Sequence, residues 1–303
     1  MAISRAQLQK ELVPGLNALF GLTYKQYPEE HKMVFETVTS DRAWEEELKL
    51  SGFGLASTKS EGSAITYDNA QEVWSARYTH ETVALGFAIT EEAIEDNLYD
   101  SLSARYTKAL AKSMAETKQI KLFSVLNNAF SGSYLGGDGK SLCATDHPTV
   151  AGGVNANRPA TDVDLNETAV ENMWIQIAGW TDERGLKMAA KPQKLICTVN
   201  DAFTAERLLK ATGRVGTADN DIAAMVSMGV FPQGYMIGHY LTDTDAWFVK
   251  TDVPDGLKHF VRAPIKTATE GDFDTGNFKY KSRERYSSGW TDPLNLWGTT
   301  GAA

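Results

Sequence analysis

Several groups of residues have the types that chemistry needs. The run Tyr134 to Ser141, YLGGDGKS, sets glycines ahead of a lysine, as in loops whose backbone N–H groups wrap a phosphate. Such a loop needs glycine six residues before its lysine, and that place holds Tyr134 with no convincing strand ahead of it, so a solvent loop is expected. Cys143, Asp146 and His147 bring a thiol, an acid and a base close together, the ingredients of a nucleophile with its base or of a metal corner. His147 precedes Pro148 in a Gly-rich loop, however, and the paired ligand spacing of zinc sites is missing. His31, His80, His239 and His259 are dispersed and read as surface or satisfied core residues. No GxSxG, HExxH or GxGxxG occurs. Glu91, Glu92, Glu95, Asp96 and Asp100 form an acidic cluster, which the dipole of a helix beginning there explains more economically than acid/base catalysis. No catalytic, cofactor-binding or metal-ligating residue is therefore expected.

The acidic cluster opens the stretch that organises the chain. From Glu91 to Phe130 there is neither Gly nor Pro, Thr90 stands at the N-cap place, and Arg105, Lys108, Lys112, Lys118 and Lys121 follow the acids, the order a macrodipole favours. Ile94, Leu98, Leu102, Tyr106, Leu110 and Met114 recur every four residues, so the apolar row drifts about 40° per step and meets more than one partner. A helix over 91–130 would span roughly 60 Å, longer than the ~50 Å expected across a compact globule of this length. It suits a flat, elongated subunit; a break near Asn127 and Asn128 would instead give two ordinary helices.

With 303 residues, 42% hydrophobic and 23% charged, the composition is that of an ordinary globular protein large enough for two domains. No run approaches the ~20 apolar residues of a membrane span, and the N-terminus makes a poor signal peptide, so synthesis in the cytoplasm is expected. A net charge of −9 argues against a surface that neutralises nucleic-acid phosphates. Cys143 and Cys197 give no disulfide framework and read as free thiols.

Leu8, Leu12, Leu16 and Leu19 suggest a short helix or arm that needs a neighbour to order it. A short strand is expected at 35–38, and a helical turn capped by Asp41 through Trp44 and Leu48. Residues 50–89 turn Gly-rich and then rich in Thr, Val and aromatics, and Val73 to Ile89 alternates as one strand entering a core near Val83. This predicts a two-stranded ribbon with its tip near Lys59 to Gly62, and since an isolated ribbon is marginal in water, a second subunit is its expected support. A long Gly/Ser/Asn/Pro loop follows the helix; Asp164 with Glu167 starts the next helix, over Val170, Met173, Ile177 and Trp180, and Arg184 with Gly185 stops it. Beyond Pro192 the expectations are a strand at 195–199, a helix capped by Asn200 or Asp201 through Leu209, and strands at 235–237, 246–250, 257–262 and 278–286.

This order of ribbon, apolar strand ending in ALGFAITEEAIEDNLYD and long helix resembles the major capsid proteins of tailed bacteriophages, the fold named after phage Hong Kong ninety-seven. The segment DERGLKMAAKPQKLICTVNDAFTAERLL is similar to that family's helix, Gly turn, Pro and central strand, and FKYKSRERYSSGWTDP to its returning strand. The likeness runs from about residue 30 onward and is closest to the head subunits of Mu-like phages. It implies an α+β capsid fold with an N-terminal arm at 1–45, an extended loop at 46–86, a peripheral domain at 87–190 and 265–303 with the spine helix at 91–130, and an axial domain at 191–264. It also implies a structural protein without enzymatic activity or cofactor, forming hexamers and pentamers of an icosahedral shell around double-stranded DNA that it does not specifically recognise. Portal and scaffolding proteins, and in some members a decoration protein, would be partners, the virion the location, and the host cytoplasm the place of assembly. Because the chain starts almost directly at the arm, a separate scaffolding protein, or a scaffolding segment already removed, is expected.

Phe20 and Tyr24 on the arm, and Lys59, Trp74, Arg77 and Tyr78 on the ribbon, are the candidate inter-subunit contacts. Some family members join subunits by an isopeptide bond between a ribbon-tip Lys and an Asn, places that Lys59 and Asn295 would take here. Two other readings compete: an encapsulin-type compartment that encloses enzymes, and a soluble α/β enzyme using the 131–160 loop.

Overall fold

A computed structural model describes residues 5–90, 92, 99–211, 213, 222–271 and 276–302, with side chains described from residue 14 onward and, in the long helix, from Ser103. The expected acidic start of the long helix at 91–98 lies outside these residues apart from Glu92.

Helix α1 (Arg5–Gln26) lies along the long helix α2 (Tyr99–Asn127), and a 3-10 turn at Glu30–Met33 leads to strand β1 (Glu36–Thr39). Strands β2 (Trp44–Leu50) and β3 (Glu72–Thr79) pair antiparallel as the ribbon, and β4 (Glu81–Ile89) leads toward α2. The two-residue strands β5 (His147–Pro148) and β6 (Val154–Asn155) pin the long loop. Helix α3 (Glu167–Gly179), strand β7 (Pro192–Cys197), helices α4 (Ala202–Lys210) and α5 (Ala224–Met228), and strands β8 (Tyr235–Ile237) and β9 (Trp247–Thr251) come next. The chain ends in two long strands, β10 (Leu257–Gly271) and β11 (Phe278–Trp290), and the short β12 (Leu296–Thr299).

The strands form two four-stranded sheets, β1-β10-β11-β4 and β12-β9-β7-β8. The buried stripe of α2 runs through Ser103, Thr107, Leu110, Ala111, Met114, Gln119, Leu122, Phe123 and Leu126, the three-and-four spacing that puts side chains on one helix face. Its first half packs with Leu16 and Phe20 of α1 and with Ile89, Phe278 and Tyr280 of the first sheet. Its second half packs with Phe35, Leu142, Ile196, Phe248 and Leu296, which ties the helix to the second sheet. Of the apolar row expected at every fourth residue, Leu110 and Met114 are buried in the first of these clusters, Tyr106 is half exposed beside Phe87, and the side chains of Ile94, Leu98 and Leu102 lie outside the described residues.

Several local expectations are corrected. Residues 44–50 form β2 rather than a helical turn capped by Asp41: Glu45, Glu47 and Lys49 alternate inward while Trp44, Glu46, Leu48 and Leu50 alternate outward, period two rather than 3.6. Residues 73–89 form two strands in different sheets, not one. The break is His80, whose ring lies 2.9 Å from Ser40 Oγ and 3.0 Å from Ser287 Oγ. Ala76, Tyr78 and His80 face inward before it, and Val83, Phe87 and Ile89 after it, a one-residue change of phase that reverses which face is buried. The cap of α3 is Asn166, whose Oδ1 accepts from Ala169 N at 2.8 Å, while Asp164 accepts instead from Ala302 N at 2.7 Å. That helix ends at Gly179, and Gly185, at φ +83°, belongs to the turn beyond it. Strands β10 and β11 run past the lengths expected, pairing from Leu257↔Trp290 to Gly271↔Phe278.

The largest core lies around the second sheet and includes α3 through Val170, Met173 and Ile177, together with Leu294 and Trp297 from the C-terminal segment. The Trp297 ring lies tilted against Trp247 at 4.8 Å, and its Nε1 donates to Gln176 Oε1 at 2.9 Å.

Candidate assembly surfaces

The residues singled out for chemistry are absorbed by structure. Lys140 pairs with Asp146, and Gly136 N donates to Lys140 O at 2.7 Å, so the glycine loop closes on itself. Its glycines serve packing: a Cβ on Gly137 would stand 2.4 Å from Trp74 Cδ1 and 2.7 Å from the Ser75 carbonyl, so only glycine lets this loop rest on the ribbon. Cys143 is fully buried, and burial pushes its thiol well above the usual range, the opposite of an activated nucleophile. Burial likewise pushes Cys197 up to about 12. His147 is held by Asp138 Oδ2 at 2.5 Å and Asn157 Oδ1 at 3.0 Å rather than by Cys143 or Asp146. Asn157 Nδ2 donates to the carbonyls of Leu142, Pro293 and Leu296 at 2.7–2.9 Å, clamping the long loop onto the C-terminal segment. Among the described residues, no group of three His, Cys, Asp or Glu is placed to hold a metal, and no helix is long and apolar enough to cross a membrane.

A buried polar seam joins arm, long helix and sheet. Lys118 of α2 donates to Glu284 Oε2 at 2.9 Å and to Tyr24 OH at 3.2 Å. Burial works against the Lys118 charge, but Glu284 and Tyr24 outweigh it and hold the ammonium above the usual lysine range. Burial lifts Glu284 above the usual carboxylate range, with one oxygen on Lys118 and Oε1 without a hydrogen-bond partner among the described residues. Beside them His31 and His259 meet edge to face at 5.2 Å, and His259 meets Tyr286 at 5.5 Å. Desolvation lowers His31 to about 4 and His259 to about 3. Spacing did not reveal this cluster, whose members come from α1, the 3-10 turn, α2 and both long strands.

The six candidate contacts divide. Phe20 is buried against α2 and Tyr24 stacks on it at 6.0 Å, so this end of the arm packs on its own long helix. Tyr78 is buried against Phe260, with its hydroxyl on Thr291. Trp74 is half-buried, its Nε1 donating to the Thr291 carbonyl at 3.1 Å. All four thus have packing partners in their own subunit, Phe20 and Tyr24 along α2, and Trp74 and Tyr78 where the inward face of the ribbon is laid on the body. Glu47 reinforces this by accepting from Lys258 Nζ and Thr291 Oγ1, both at 2.6 Å, and Lys49 pairs with Asp292. Arg77 is exposed, its guanidinium 4.2 Å over the Trp44 ring, and Lys59 is exposed next to the turn at Glu61 and Gly62. Asn295 is buried, its amide committed to the carbonyls of Thr251 and Val253 and to Leu257 N, so it is not presented to a neighbour's Lys59.

On β2 and in the segment 51–71 that joins it to β3, Leu48, Leu50, Phe53, Leu55, Ile65 and Tyr67 are all exposed, Leu55 and Tyr67 at 85%. Six exposed large apolar residues gathered in one hairpin mark an interaction surface rather than scattered surface hydrophobics.

The model of the family described as phage capsid protein matches residues 73–297. The chain belongs to that family. No curated protein matches the sequence. Among solved structures, the capsid protein is similar to the virus-like particle from Pyrococcus furiosus, with a TM-score of 0.53 and 11% identity, over 94% of this chain and 98% of that one. It is also similar to the capsid of an empty GTA particle, TM-score 0.51 and 14% identity over 90% and 89% of the two chains. The procapsid of bacteriophage JBD30 gives TM-score 0.51 and 15% identity over 99% and 77%. At such identities the likeness establishes the fold, which is the α+β capsid fold of the Hong Kong ninety-seven type.

Proposed function

We propose that this capsid protein is the major head subunit of a tailed phage of the Mu-like kind, assembling as hexamers and pentamers into an icosahedral shell around double-stranded DNA. It works as a structural protein without catalysis, formed in the host cytoplasm with scaffolding and portal proteins, and its place is the virion. In this reading the arm is 1–45, the extended loop 46–86, the peripheral domain 87–190 and 265–303, and the axial domain 191–264, with α3 and β12 sharing the core of the axial sheet. The observation that carries it is the ribbon, whose base is fastened to its own body while its tip presents uncovered apolar residues, as a part made to lie on another copy does. Many such modest contacts, repeated around a closed shell, multiply into a stable particle.

The test removes residues 54–64. The shortened protein should keep the circular dichroism and melting of the full chain yet fail to form stable shells under negative-stain microscopy, and normal particles from it would refute the role given to the ribbon. The likeness to the virus-like particle favours one second reading, a compartment enclosing protein cargo. The contents of purified particles decide between them: double-stranded DNA supports the phage head, co-purifying enzyme the compartment.

A further inference from the structure

Around the second sheet lie two exposed apolar features, a knob and a groove. Helix α4 packs on the core through Ala205, Leu208 and Leu209. Phe203 lies about 160° around the axis from Ala205 at ~100° per residue, so it points away from that core, and it is 80% exposed. Arg207, one turn further on the same outer face, is exposed as well. The second feature is an open apolar groove between α3 and α5, about 240 Å³, floored by Val170, Met225 and Val230 and walled by Trp174, Ile175 and Met228. It is below the ~300–1,000 Å³ of small-molecule sites, a size that suits an aromatic side chain rather than a metabolite or cofactor. Glu171 stands on its wall.

We propose that Phe203 of one copy seats in the α3–α5 groove of the next copy, with Arg207 placed against Glu171. The inference rests on the shell reading and specifies one contact within it. Knob and groove are different patches of one subunit, so the contact is heterologous, the kind that closes into a ring when the rotation between copies allows it. An aromatic knob in an apolar pocket flanked by an ion pair has the composition of an interface hot spot, in which the apolar group carries affinity and the charges fix register.

The test compares assembly of the full-length wild type, Phe203→Asp, Ile175→Arg, Glu171→Arg, Arg207→Glu and the double Glu171→Arg/Arg207→Glu by sedimentation and negative-stain microscopy, with melting curves as the control for folding. Phe203 and Ile175 are exposed, so their variants should melt like wild type while the yield of rings and shells falls at least tenfold. Each single charge reversal should lower the yield, and the double reversal should recover what the singles lose. Full assembly of Phe203→Asp, or failure of the double reversal to recover, would overturn the contact. Loss of assembly in Ile175→Arg alone would show that the groove receives a different segment, which also overturns it. A wild-type chain that remains monomeric would refute the shell reading along with the contact, whereas competent wild type beside competent Phe203→Asp refutes the contact alone.

Discussion

The histidine pair in the polar seam makes the capsid protein acid-sensitive, and the size of the effect follows from its burial. His31 Nδ1 meets Gln119 Nε2 at 2.9 Å and His31 N donates to Gln119 Oε1 at 3.1 Å, whereas neither ring nitrogen of His259 has a partner among the described residues. Lys118 and Lys32 face both rings, Glu29 faces His31, and His31 further disfavours a proton on His259. The ordinary imidazole value is 6.5, and the folded values are lowered to about 4 and about 3, so the native state keeps both rings neutral where the unfolded chain takes up protons. Stability is therefore full above pH 6.5 and falls as the pH drops from 6.5, down to about 4 for His31 and about 3 for His259. At pH 5 each ring costs RT ln(1 + 10^1.5), about 2 kcal/mol, and the pair about 4 kcal/mol. His259→Phe removes one titration while retaining the edge contacts to His31 and Tyr286. Urea or thermal unfolding of dissociated subunits at pH 7.5 and pH 5 should show the variant close to wild type at the higher pH and about 2 kcal/mol less acid-labile at the lower, a few degrees in Tm. Parallel pH profiles for the two proteins would refute the reasoning, since they would mean that His259 takes up no fewer protons folded than unfolded.

Two further perturbations test the interior. Lys118→Met should cost about 3–5 kcal/mol by leaving Glu284 buried without its cation, and adding Glu284→Leu should recover much of it, read by urea midpoints. Asn157→Ala should lower the midpoint by at least about 3 kcal/mol, because three carbonyls, Ala144 N and His147 Nε2 lose one shared partner, with the loop near 142–157 becoming open to proteolysis.

The order of ribbon, long helix, looped insertion and mixed α/β region was legible because each rests on local signals. Period-two alternation marked the ribbon, an uninterrupted Gly- and Pro-free run marked α2, and turn residues marked the gaps between the later strands. The ribbon tip near Lys59 to Gly62 also followed from composition, since glycine permits the turn where Gly62 takes φ +79°. Which side of the ribbon would be buried was not legible. The change of phase at His80 depends on Ser40 and Ser287, far away in sequence, and it turned Trp74 and Tyr78 toward their own subunit while leaving Leu48 and Leu50 outside. Aromatic residues on a strand look the same whichever face they occupy.

Residue types and spacing by themselves determined the order of helical, strand and loop segments and showed no recognisable catalytic pattern, while the class of fold came from the resemblance that this order carries. Only the tertiary structure decided what the polar residues do. Lys118 with Glu284 and His31 with His259 are partnerships across 166 and 228 positions, and Asn157 reaches carbonyls up to 139 positions away; no periodicity encodes such distances. Periodicity reports which way a side chain points on its own element; the partner it meets depends on how the elements pack, and packing is where burial sets charge, exposure and therefore function.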